Sequence, residues 1–174
     1  MAEEEVTGTE AGAAAEGQPQ QQFSMQRVFL KDLSFESPAS PDVFKQEWQP
    51  AVNVDLRTNS SAMEASNYEV LLTITITAKL GEETAFLVEV QQAGIFFIAG
   101  IEGEELRRVL SVFCPNMLFP YARETIDNIV TRGTFPALML AQVNFEALYV
   151  SAMQQAQQQA QQQDEAPAAD EAAS

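Results

Sequence analysis

Chemistry in this chain has to be carried by carboxylates, amides and one thiol, because its 174 residues include no histidine. Without an imidazole, neither a Ser-His-Asp nor a Cys-His nucleophile pair can be assembled, and the usual nitrogen ligand of zinc is missing. The pairs Glu82/Glu83 and Glu104/Glu105 are adjacent in sequence. Neighbours on a strand or turn point apart, so they read as solvated surface rather than as an acid and a base. The single Cys114 has only arginine nearby to activate it; it reads as a small buried core residue and can close no disulfide within the chain. Gly100 and Gly103 lack the spacing of a phosphate cradle. The sequence therefore predicts no enzyme, no metal site and no cofactor.

Charge narrows the partners. Nine basic residues stand against 25 acidic ones, a formal charge of −16, and such a field repels phosphate backbones and anionic lipid headgroups. Nucleic acid and direct membrane insertion are excluded on that ground. The first residues are acidic rather than basic and no run of eighteen apolar residues occurs, so the expectation is a chain with neither signal peptide nor membrane span, located in the cytoplasm.

The elements that would position any site lie between Phe23 and Tyr149, where every aromatic residue falls. Both flanks consist of Ala, Glu, Gln and Gly and carry more than half of the net charge. Too little apolar surface is present there to offset the entropy of ordering. Residues 1–22 and 158–174 are accordingly expected to be disordered tails around one domain at 23–157. The Gln-rich run Gln154 to Gln163 reads as fraying helix.

Within the domain, Tyr68, Val70, Leu72, Ile74, Ile76, Ala78 and Leu80 alternate with mostly polar residues, the period of a half-buried antiparallel strand. Gly81-Glu82-Glu83 offers a reversal into a second strand with Phe86, Val88 and Val90 on one face. Val52, Val54 and Leu56 alternate likewise, and Met25 to Phe35 is a further β-rich stretch, apolar in part on both sides. Past Gly100 the period becomes helical: Leu106, Val109, Leu110 and Phe113 form one stripe. That helix is expected to stop at Pro115, a second to open at Pro120 and end at Gly133, and a last one to be capped by Asn144. Strands followed by helices predict an α+β fold: a four-stranded antiparallel sheet with helices packed on one face.

The unusual feature is apolar loop. Phe44 to Pro50 contains Trp48, and Thr134 to Val143 contains Phe135, Leu138, Met139 and Leu140. Either these loops fold over the sheet and complete the core, or they line a groove for an extended, apolar partner. An acidic protein with such a groove would favour clients that are basic as well as apolar.

Across 23–150 the sequence resembles SecB, the bacterial protein-export chaperone family. The resemblance rests on Lys31-Asp32-Leu33-Ser34-Phe35-Glu36 followed by Pro38, on Phe44 with Trp48-Gln49-Pro50, and on Gly81-Glu82-Glu83-Thr84-Ala85-Phe86-Leu87 running into Glu89-Val90. Farther along come Ile98 to Gly103, Cys114-Pro115-Asn116, Leu118 to Glu124, Arg132 to Pro136 and Val143-Asn144-Phe145. Order and spacing carry the likeness, not any single motif. Gln142 stands where the family commonly has Pro, and Ala93 where it commonly has Gly before Gly94.

The resemblance implies an ATP-independent holdase that keeps preproteins unfolded and delivers them to the SecA motor, built as a homotetramer, a dimer of dimers. It also implies that Asp32, Glu36, Leu87 and Glu89 contact the basic, zinc-binding C-terminal tail of SecA. Parity agrees with such a face: Leu87 and Glu89 lie opposite Phe86, Val88 and Val90 on their strand, and Asp32, Ser34 and Glu36 share one side of theirs. The groove expected to take unfolded preprotein clients comprises Phe44, Trp48, Val54, Leu56, Phe135, Leu138, Leu140, Phe145 and Tyr149. An enzyme or small-ligand protein would show instead a closed pocket with one preferred molecule, and a plain acidic scaffold would show neither.

Overall fold

The structure, a computed structural model, describes residues 21–164. The disorder expected of 1–22 and 158–174 lies outside the described residues at 1–20 and 165–174; at 158–164 the chain is helical instead, and Gln22 already belongs to the first strand. Four strands, β1 (Gln22–Glu36), β2 (Ala51–Ala62), β3 (Asn67–Leu80) and β4 (Glu83–Ala99), form one antiparallel sheet in the order β1-β4-β3-β2. Three helices follow: α1 (Gly103–Arg108), α2 (Cys114–Arg132) and α3 (Phe145–Asp164). The fold is α+β, as its sequence predicts.

The alternation of β3 sets the core. Val70, Leu72, Ile74, Ile76, Ala78 and Leu80 are buried, and Phe86, Val88, Val90, Phe96 and Ile98 of β4 join them on the same face. On that face α2 lays Leu118, Phe119, Ala122, Ile126 and Val130, all buried, at the spacing of one helical stripe. The helix comes close at Gly94, where an added Cβ would lie 2.8 Å from a ring carbon of Phe96 and 2.9 Å from Cδ2 of Leu118.

Strand β1 explains why its sequence looked apolar on both sides. Its pairing with β4 slips between Met25 and Arg27 and again between Leu30 and Asp32, and each bulge exchanges the faces of the residues beyond it. Phe23, Met25, Val28, Leu33 and Phe35 consequently all pack against the core. Gln92 is the buried polar side chain of this face. Its Nε2 donates to the carbonyl of Phe29 beside the second bulge, at 2.8 Å, which satisfies both groups.

The helical stretch departs from expectation. Instead of stopping at Pro115 and restarting at Pro120, it runs without a break from Gly103 to Arg132, with a π-helical turn at Val109–Phe113. A proline leaves the carbonyl four residues earlier without its donor. The wider turn precedes Pro115, and Pro120 and Asn116 are both exposed, where water can serve. At the C-terminus Gly133 keeps φ at −71° and Thr134 takes the left-handed conformation, φ 64°. Asn144 does cap α3, its Oδ1 accepting from the Ala147 amide at 3.0 Å. That helix continues to Asp164, past the domain boundary expected at 157, because Ala and Gln propagate a helix once it is nucleated.

Candidate functional site

Two surfaces carry the residues singled out by the sequence, one on each side of the sheet. The first is the side opposite α2. Cross-strand partners share a face, and the register places Glu36 against Leu87, Ser34 against Glu89 and Asp32 against Gln91, with Thr77 and Thr75 flanking Leu87 and Glu89 from β3. The four residues Asp32, Glu36, Leu87 and Glu89 are thus brought together on two adjacent strands. Asp32 and Glu36 are exposed and Leu87 and Glu89 half-buried.

Glu89 is held in place: its Oε2 accepts from Thr75 Oγ1 at 3.0 Å and its Oε1 from Gln91 Nε2 at 3.4 Å. Among the described residues none of Asp32, Glu36 and Glu89 is in an ion pair, while Lys31, at the bulge, is bound to Glu69 at 2.7 Å. The result is a pinned, uncompensated acidic patch around a leucine, suited to a basic and partly apolar segment.

The second surface is apolar and lies on the helix side. Here the structure divides the nine expected groove residues. Phe44, Trp48 and Phe135 form an aromatic cluster: Phe135 lies 5.2 Å from Phe44, 5.3 Å from Trp48 and 5.0 Å from Phe86 between ring centroids. Phe135 is itself buried, Trp48 half-buried, and Phe44 is 49% exposed. Leu138 and Leu140, half-buried, border a separate cleft of about 280 Å³ against Pro120, Glu124 and Asp127 of α2.

Leu56 and Tyr149 meet at a third place, a cleft of about 400 Å³ between β2 and α3 that also touches Phe145, Leu148 and Met153. Phe145 is mostly a core residue, 3% exposed and edge-on to Phe119. Val54 lies on the same side of β2 as Leu56, 39% exposed. Its exposure follows from the packing: α2 lies over β4 and β3, and β2 is met only by the π-helical turn at Val109–Phe113 and, across an open cleft, by α3.

Leu148 and Met153, with Thr58 and Ser111 at the edge of the same cleft, are site residues that sequence reasoning passed over. Periodicity is the signal that could have found Leu148, three residues after Phe145 on the apolar side of α3. What exposes it is the open cleft that separates it, among the described residues, from Leu56 of β2.

The third cleft has a polar clasp. Tyr149 Oη donates to Glu104 Oε1 at 2.8 Å, and Arg107 pairs with the other oxygen of Glu104. These hydrogen bonds hold the Glu104 carboxyl below its usual range and raise the Tyr149 phenol. Arg108 binds Glu146 at 3.0 Å, a second tie between the first helix and α3. Cys114 is fully buried, and burial pushes its thiol up to about 12, so it is no nucleophile at neutral pH. No helix of the described residues is long and apolar enough to cross a membrane.

Comparison with known proteins places this geometry. The model of the family described as "Preprotein translocase subunit SecB" matches residues 16–157. The chain is 56% identical over 146 residues to a protein-export protein SecB of Stutzerimonas stutzeri, covering 84% of this chain and 89% of that one. To a protein of the same name from Pseudomonas fluorescens it is 54% identical over 152 residues, covering 87% and 94%. Among solved structures, a SecB-like chaperone of Mycobacterium tuberculosis, in complex with a ChAD peptide from the HigA1 antitoxin, superposes with a TM-score of 0.60 at 17% identity, over 70% of this chain and 90% of that one. At that identity the likeness is one of fold.

Proposed function

The chain belongs to the SecB family of protein-export chaperones, and we propose that it acts as an ATP-independent holdase, keeping preproteins unfolded and delivering them to the SecA motor. The observation that carries this reading is the two-sided sheet: a pinned acidic patch on one side and open apolar clefts on the other. A carrier needs both, since a client must stay bound while a second partner engages elsewhere.

For the client the relevant surfaces are the Phe44–Trp48–Phe135 cluster, the Leu138/Leu140 cleft, and the cleft of Leu56, Phe145 and Tyr149 beside Val54. They are shallow and separate. Each covers a few large side chains, about 25 cal/mol per Å² of apolar area, so one alone is weak and several engaged by one extended chain are strong. Such a device discriminates little among sequences, which is what an unfolded client requires. For the motor, Asp32, Glu36, Leu87 and Glu89 form the dock of its basic, zinc-binding tail.

We infer a homotetramer, a dimer of dimers. In its favour are β1, which stands at the sheet edge with its outer backbone groups unpaired by any described strand, and Phe113 and Tyr121, 52% and 47% exposed along the long helical stretch. Symmetric closure covers such features. The work belongs to the cytoplasm, where preproteins are made, and needs no catalytic group.

The test is suppression of aggregation. An unrelated protein diluted from denaturant is followed by light scattering with and without the chaperone, in the absence of nucleotide. Suppression at near-stoichiometric ratio supports a holdase; scattering unchanged by the chaperone rejects it.

A further inference from the structure

Among the described residues, methionine meets solvent at one position far more than at any other. Met25 and Met117 are half-buried against the core, and Met153 is half-buried in the cleft beside α3. Met63, just past β2, is 49% exposed, and Met139 is 90% exposed. The cause at Met139 is local. Leu138 and Leu140 on either side of it pack against the core, and the Leu140 amide donates to the Leu138 carbonyl at 3.0 Å, a reversal tight enough to turn the residue between them outward. The same side chain lines the cleft of about 280 Å³ against α2. Its thioether is therefore open to water and stands in an apolar wall at once.

We propose that Met139 is an oxidation site whose sulfoxide loosens the hold on clients, which makes this cleft sensitive to peroxide. The thioether sulfur gives an electron pair to one oxygen of hydrogen peroxide, the O–O bond breaks, and the departing hydroxide takes the proton of the transferred oxygen and leaves as water. Sulfur is oxidised by two electrons, peroxide is reduced, and the product is methionine sulfoxide. A flexible, polarisable apolar contact becomes a polar S=O group.

Neither leucine beside it can react in this way. Their contacts with the core stay in place, so the loss falls on the client and not on the fold. A leucine at 139 would offer comparable apolar area without the sensitivity. The assignment rests on the client-binding reading above and adds a chemical control to one of its clefts.

The experiment treats the intact protein with dilute hydrogen peroxide, removes the excess with catalase and maps sulfoxide by mass spectrometry of proteolytic peptides. Met139 should be oxidised first, Met63 severalfold more slowly, and Met25 and Met117 last. A labelled unfolded client, added afterwards so that it meets no oxidant, should leave the oxidised wild type about three- to tenfold faster than the untreated protein, the effect of losing part of one large apolar contact. The melting temperature should not change. Methionine sulfoxide reductases of both stereospecificities should restore retention. Met139→Leu should hold the client as wild type does and keep holding it after the same treatment, whereas Met63→Leu should stay as sensitive as wild type. Oxidation of Met139 no faster than that of Met117 overturns the site. Unchanged release from protein oxidised at Met139, or equal loss of retention in treated Met139→Leu, overturns its consequence for clients. If the untreated protein holds no client and does not suppress aggregation, the holdase reading falls and that consequence with it, while the order of oxidation is still decided by the mapping.

Discussion

The ring of Phe35 fills the space that a side chain on residue 133 would need. A Cβ built at Gly133 falls 2.5 Å from Cζ of Phe35 and 3.2 Å from Cδ2 of Phe135. The glycine that follows α2 is thus required by the packing of β1 and of the apolar loop, not by backbone conformation, since its φ is −71°.

Gly133→Ala should therefore destabilise the fold by about 1–3 kcal/mol, the usual cost of overpacking a filled site. Thermal melting followed by circular dichroism checks it. A melting temperature equal to wild type would mean that Phe35 and Phe135 move aside freely, and the aromatic cluster would have to be looser than its centroid distances imply.

How much of this was legible beforehand depends on whether a signal is local. The period of two in β3 and the cap at Asn144 are properties of neighbouring residues, and they are seen as expected. The π-helical turn before Pro115 is not written in any residue type, so the prolines pointed to a break that does not occur. Parity placed Leu87 and Glu89 on one side of β4. That Asp32 and Glu36 stand beside them depends on a register with two bulges in β1, which no local pattern specifies. The groove was least legible. Composition left the Trp48 and Leu138 loops open between core and groove, and their separation from each other and from the Tyr149 cleft depends on where two irregular loops and α3 lie against the sheet.

Charge reversal on the helix-free face tests the motor dock. Glu89→Lys or Asp32→Lys should weaken binding of the basic SecA tail peptide by about tenfold at low salt and by less as salt rises, because the charges are near the surface. Suppression of client aggregation should be untouched, since that face is across the sheet from the clefts. Titration calorimetry with the isolated tail peptide decides it; wild-type affinity in both variants would leave this face an ordinary solvated one.

Assembly is checked by native mass spectrometry. The 19.1 kDa chain should appear at four times that mass at neutral pH, and Phe113→Glu should lower the order of assembly while the monomer stays folded. A wild-type monomer at micromolar concentration would remove the tetramer.

Alkaline pH addresses Cys114. In the folded protein burial raises its pKa from 9.0 to about 12, so the native state holds the thiol proton more tightly than the unfolded chain does. Stability is then full below about pH 9 and is lost as pH rises from there toward about 12. Cys114→Ala should give a flatter decline over that window in urea titrations. The wild-type thiol should react with an aromatic disulfide reagent at pH 8 only as the protein unfolds; rapid native reaction would contradict its burial.

Client retention has to be separated from stability, and the depth of each side chain shows how. Leu138 and Leu140 are half-buried and pack against the core, so replacing both with serine should reduce retention but also lower the melting temperature. Val54 and Leu148 are 39% and 48% exposed and belong to the open region between β2 and α3. Substitutions at such positions usually change stability by no more than about 0.5 kcal/mol. Val54→Ser with Leu148→Ser should therefore leave the melting temperature within a degree or two of wild type, as expected for so small a change. Dissociation of a bound unfolded client should nonetheless quicken severalfold, because lost apolar area on this face is lost only from the complex. Release rates measured by fluorescence transfer from a labelled client decide the matter. If release is unchanged while Leu138→Ser with Leu140→Ser accelerates it, clients engage the loop clefts and bypass α3; if neither pair changes it, the apolar side of the sheet is not where clients are held.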